Sequence, residues 1–100
     1  MFLVYATCAN EAEAKKIAEA VVKERLAACA VILPRAESVF FWKGRLEKTT
    51  EVVLFLKCSE KKYGRLERRV KKLHSYKVPC IIALDVERVN PKFLQWVEKT

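Results

Sequence analysis

The chain of 100 residues is poor in the residues that most often announce chemistry, with two glycines, one histidine and three prolines. Gly44 and Gly64 alone cannot build a glycine-rich phosphate loop, so nothing points to an organic cofactor. His74 is the only histidine, so any Ser-His-Asp or Cys-His arrangement has to be assembled around it, and no nucleophile-elbow signature accompanies it. Cys8, Cys29, Cys58 and Cys80 lie far apart and form neither a C-x-x-C pair nor a zinc-spaced cluster. The longest apolar run, "LAACAVIL", ends at Pro34, well short of the roughly 20 residues a membrane helix needs. The opening "MFLVYATCANEAEAKK" lacks a basic start and soon becomes charged, unlike a signal peptide. These absences argue for a non-enzymatic, cytoplasmic protein without membrane contact. In that compartment the thiols are expected to stay reduced and to act as small hydrophobes in the core.

What is present is apolar and basic. Hydrophobic residues make up 52% of the chain, a high share for one domain spanning 1–100, and the net charge is +8. Charged residues reach 32%, a composition suited to ion-pair networks. Much of the positive charge lies in "KKYGRLERRVKK", which is either a solvated helix face or a surface for nucleic acid, an acidic partner or an anionic surface.

Periodicity sets out the elements in order. "FLVYATC" (2–8) is a buried strand. Asn10 and Glu13 form an approximate capping box that opens a helix over 11–26. "ACAVIL" (28–33) is a strand interrupted at Pro34, which marks an edge or a bulge, and resuming at "SVFFW". It turns at Lys43–Gly44 and returns as "RLEKTTEVVLFLKC" (45–58), a long hairpin. Ser59 caps a helix over 60–73, "CIIALDVE" (80–87) is the last strand, and Asn90–Pro91 starts a short C-terminal helix. The order βαββαβ plus a terminal helix predicts an α+β, ferredoxin-like fold with both main helices on one face of an antiparallel sheet. The strands "VVLFL" and "CIIAL" are apolar on both faces. The sheet face without helices is therefore expected to be covered by further copies of the chain.

The RNA-recognition domains share this order but carry exposed aromatics and a glycine on the third strand. "EVVLFLKCS" has one aromatic and no glycine, which argues against nucleic acid. His74 can supply half a metal site, completed by Cys29, Cys80, Glu51 or a residue of another subunit. It can equally cap the end of the second helix.

"KERLAACAVILP", "ESVFFWKGRLE", "EVVLFLK", "LHSYKVPCI" and "FLQWV" together resemble the CutA divalent-cation tolerance proteins, in order and over nearly the whole chain. The resemblance implies a cytosolic homotrimer similar to the nitrogen-regulatory PII proteins. It also implies tolerance of copper and other divalent metals, with no enzymatic activity. Such a protein binds Cu(II) or another divalent cation weakly, or holds a small ligand or partner in an inter-subunit cleft as a regulatory scaffold. The matching positions are Leu26, Ala27, Ala28, Cys29, Ser38, Trp42, Gly44, Glu51, Lys57, His74, Tyr76 and Pro79. Among them His74 and Cys29 are implied as metal ligands, and Trp42, Glu51, Lys57 and Tyr76 as walls of the cleft. The chain departs from the family pattern at Phe40 and Phe41, where tyrosines are usual, and at Ser75, where a proline is common. Cys8–Ala9 stands where a proline often precedes the helix, and Ala6 falls about where some members carry a cysteine ligand.

Overall fold

A computed structural model describes residues 1–100. The elements run β1 (Phe2–Cys8), α1 (Glu11–Lys23), β2 (Cys29–Trp42), β3 (Arg45–Cys58), α2 (Glu60–Leu73), β4 (Ile81–Asp85) and α3 (Pro91–Glu98). The strands form one antiparallel sheet in the order β2-β3-β1-β4, the ferredoxin-like arrangement expected.

Alternation along the strands builds the core. Val4, Ala6 and Cys8 stand opposite Leu56, Leu54 and Val52, so the six side chains share one face. Ala14, Ile17, Ala18 and Val21 of α1 and Leu66 and Val70 of α2 pack onto that face, and all of these residues are buried.

Three boundaries differ from expectation, each for a local reason. The first helix stops at Lys23 because Arg25 adopts a left-handed conformation, φ 60°. The Leu26 amide then reaches the Val21 carbonyl at 2.8 Å and the Arg25 amide reaches Val22 at 3.0 Å, a Schellman end with arginine where glycine is usual. The second strand is not interrupted at Pro34. It continues to Trp42 through an irregularity between Leu33 and Ala36, with Arg35 at φ 64°. Proline is tolerated there because β2 is an edge strand and the bulge requires no donor. The last strand is shorter than 80–87 and leaves Cys80 exposed. Ser59 sits at the start of α2, but its side chain makes no capping bond.

At the hairpin tip Lys43 (φ 51°) and Gly44 (φ 76°) both take positive φ between the paired Trp42 and Arg45, as a two-residue type I′ turn demands. The hairpin stretches the molecule to 45 × 25 × 22 Å. Its ion pairs share no residues, so the charged surface forms isolated pairs and no network.

The face without helices carries the cross-strand rows Leu33–Val53–Thr7, Val31–Phe55–Tyr5–Ile82 and Cys29–Lys57–Leu3–Leu84. Leu33 and Ile82 are each 48% exposed and Leu84 is 54% exposed. The accessible surface is 7003 Å², against about 5,800 Å² for a folded monomer of this mass. The excess lies in the hairpin and this apolar face.

Arg25 gives a test of the local account. Arg25→Gly is expected to be at least as stable as the parent, whereas Arg25→Val loses about 1 kcal/mol or more in urea unfolding, because a β-branched residue resists positive φ.

Candidate functional site

Polar side chains gather where the end of β1, the start of α1 and the turn after α2 meet. Asn10 caps α1, its side-chain oxygen accepting the Glu13 amide at 2.8 Å. The Glu13 carboxylate reaches back to accept the Ala9 amide at 3.1 Å. Its second oxygen accepts the Ser75 amide at 3.0 Å, which ties α1 to the turn 62 residues further on. The expected capping box is present only in part, since the carboxylate takes the amide of Ala9 before the cap and not that of Asn10 itself, and it adds a long-range bond.

His74 ends α2, its amide bonded to the Val70 carbonyl at 2.9 Å. The imidazole is buried, with Nε2 2.7 Å from the Thr7 carbonyl and Nδ1 accepting the Tyr76 amide at 3.1 Å. A carbonyl can only accept, so Nε2 carries the hydrogen and the ring is the neutral Nε2–H tautomer. Both nitrogens are satisfied by backbone, and Glu13 Oε1 lies 3.7 Å from Nδ1.

A second polar chain runs beside the first. Glu51, 8% exposed, accepts Ser38 Oγ at 2.5 Å and the Tyr76 hydroxyl at 2.8 Å, joining β2, β3 and the turn. Burial, then the bond to Glu51 and the nearby carboxylates, push the Tyr76 phenol up to about 12. Burial pushes the Cys8 thiol up to about 11, reinforced by the negative charge of Glu13 and Glu51. A thiol held so far in its neutral form is a poor nucleophile. For Glu13, burial alone would raise the carboxyl. Its bonds from Ser75 and Ala9, together with the His74 ring when protonated, outweigh burial and leave it below the usual carboxylate range.

The expected site residues separate into two groups. His74, Tyr76 and Glu51 come together, and Tyr76 alone of them also lines a groove of about 590 Å³ that it shares with Trp42, Phe40, Glu47, Lys48 and Lys77. Cys29 stands opposite Lys57, which places both about 17 Å along β3 from Val52, the partner of Cys8. Lys57 lies 5.3 Å from the Phe93 ring, and Cys29 lines a different groove beside Trp96. Cys29 therefore does not share a site with His74 within one chain. Nor are all four thiols core residues, since Cys29 is half-buried and Cys80 exposed.

The residues the sequence reading passed over are Cys8 and Glu13. One ligand atom from each of Cys8, Glu13 and His74 lies within 4.8 Å of the others. The capping pattern pointed to Glu13 but only as a helix cap, and nothing local links Cys8 to a histidine 66 residues away. A thiol, a carboxylate and an imidazole suit a borderline-soft divalent cation. Every one of the three donors is already committed, however. The Cys8 thiol holds its proton, His74 Nδ1 accepts Tyr76, and Glu13 accepts two amides. A cation would compete with these bonds, so the set fits weak binding and not a permanent centre.

The family model for the CutA1 divalent ion tolerance protein matches residues 2–100. The chain belongs to that family. It is 40% identical over 101 residues to the divalent-cation tolerance protein CutA of Pyrococcus horikoshii, covering all of this chain and 98% of that one. It is 42% identical to the CutA homolog of Xenopus laevis over 93% of this chain but 62% of the relative. The chain spans only about half to three-fifths of the vertebrate relatives it matches. The Thermus thermophilus divalent cation tolerance protein superposes with a TM-score of 0.95 at 38% identity, covering 99% of this chain and 97% of that one.

Glu13→Gln tests the tie between α1 and the turn. A carboxyl held below its unfolded value stabilises the fold above about pH 4.3, and that contribution is lost as pH falls through the folded value. The variant is expected to be about 1 kcal/mol less stable at pH 7 in urea unfolding, with the difference from the parent shrinking below about pH 4. An equal difference at both pH values contradicts the assignment.

Proposed function

We propose that the chain is a non-enzymatic, cytoplasmic homotrimer of the CutA1 family that takes up Cu(II) or a similar divalent cation weakly and reversibly. The observation that carries the reading is the convergence of Cys8, Glu13 and His74 within 4.8 Å. Those three side chains would hold the ion, and binding would draw the proton from the Cys8 thiol and release the Tyr76 amide from His74. Metal occupancy would thereby reach the Tyr76–Glu51–Ser38 chain and the hairpin beyond it. The apolar sheet face, with its exposed Val31, Leu33, Ile82 and Leu84, supports assembly with further copies. A reducing compartment would keep the four free cysteines as thiols, although the Archaeoglobus fulgidus relative is called periplasmic.

A second reading has its own support. The groove between the hairpin and the turn, walled by Phe40, Trp42 and Tyr76 and flanked by Lys48 and Lys77, has the size and lining of a small-ligand site. Under this reading the chain is a regulatory scaffold and metal effects are indirect.

Calorimetric titration with Cu(II) separates the two. If the thiol must ionise, affinity rises with pH by up to about tenfold per unit between roughly pH 6 and 9. Cys8→Ser is then expected to weaken binding by about tenfold or more at neutral pH. Affinity that is flat with pH and unchanged in both Cys8→Ser and His74→Gln would leave only the scaffold reading.

A further inference from the structure

The charge of α2 is not spread around the helix. Lys61, Arg65, Arg68 and Lys72 fall at i, i+4, i+7 and i+11, one straight stripe on the side away from buried Leu66 and Val70. All four are exposed. Three of them, with Arg69, line a groove of about 350 Å³ whose far wall is Glu24 and Leu26 from the end of α1.

Charge pairing inside the groove is unequal. Arg69 takes both oxygens of Glu24, with Nε to Oε1 at 3.0 Å and Nη2 to Oε2 at 2.9 Å, so the only carboxylate there is fully used. Arg65, Arg68 and Lys72 have no carboxylate partner. Three unpaired cations therefore face one shallow concavity, along about 10 Å of helix. Like charges so arranged repel one another unless an anion lies between them.

We propose that this groove binds a compact, multiply charged oligophosphate. Arginine forks match phosphate oxygens two at a time, and several linked phosphates answer several cations where a single carboxylate answers one. The cations close on one small concavity and do not form a long track. The lining of the groove itself holds no aromatic side chain, so a nucleic acid strand finds no base platform there. The proposal depends on neither the metal reading nor the assembly, because α2 packs on the sheet face opposite the apolar one.

The test is calorimetric titration of the whole chain with inorganic tripolyphosphate at low ionic strength. Saturable binding of one ligand per chain is expected, weakening as salt is raised to the physiological range. Arg65→Gln/Arg68→Gln should weaken it by about tenfold or more, while Arg65→Lys/Arg68→Lys, which keeps the charge but loses the forks, should fall between that variant and the parent. Lys43→Gln/Arg45→Gln removes the same net charge at the hairpin tip and should change affinity by less than about twofold. Thermal melts should match the parent for every variant, since all the substituted side chains are exposed. The proposal is overturned if no saturable binding occurs at millimolar ligand, or if the hairpin variant loses as much as the α2 variant. It is also overturned if a single-stranded oligonucleotide binds more tightly at equal phosphate concentration.

Discussion

Right-handed crossovers send α1 and α2 to the same side of the four-stranded sheet, and a sheet so covered has one dry face and one open face. In many antiparallel sheets the open face is polar, and the strands alternate accordingly. Here the open face is Leu3, Tyr5, Val31, Leu33, Val53, Phe55, Ile82 and Leu84, nearly as apolar as the buried side. At about 25 cal/mol per Å², covering several hundred Å² of such surface would stabilise the molecule by several kcal/mol per chain. That is comparable to the whole stability of a domain this small. The projecting hairpin, with Phe41, Trp42 and Leu46 exposed, extends the same unmet demand beyond the sheet.

The polar end of the molecule answers a different requirement. The turn from α2 to β4 crosses the end of β1, where the Thr7 carbonyl would otherwise be left buried. His74 satisfies that carbonyl and the Tyr76 amide at once, and Glu13 takes the Ser75 amide. Tyr76 in turn satisfies Glu51, so no buried polar side-chain atom lacks a partner. Two of the side chains that lock the turn, Glu13 and His74, also belong to the group with Cys8 that could hold a cation. For Glu13 and His74, holding the turn and holding a cation are competing uses of the same atoms, which under the proposed metal reading would make binding weak and proton-linked.

Most of the fold could be read from periodicity, because the apolar positions of β1, α1, β3 and α2 repeat strongly and their caps are local. What escaped the sequence were features decided by distant contacts or rare backbone states. Arg25 and Arg35 take positive φ without glycine, which no propensity foretells; the first sets the end of α1, and the second lies in the β2 bulge that Pro34 had marked. His74 was visible as the lone histidine, but its neighbours Cys8 and Glu13 are brought to it only by the stacking of α1 and α2 on the sheet. Cys29 was one of several donors considered for completing a site with His74, and the strand register puts it near the opposite end of the sheet within one chain, with Lys57. The basic run of α2 was visible as charge, while its convergence on one groove depends on the 3.6-residue repeat and on the end of α1.

The central claim about the architecture is that the open face of the sheet is covered by copies of the same chain. Light scattering coupled to size exclusion, at micromolar concentration and without added metal, measures this directly. The expected result is a mass three times the chain's 11.6 kDa, falling toward one chain when Ile82 and Leu84 are both replaced by glutamate. A stable, well-folded monomer of the parent chain under these conditions would contradict it.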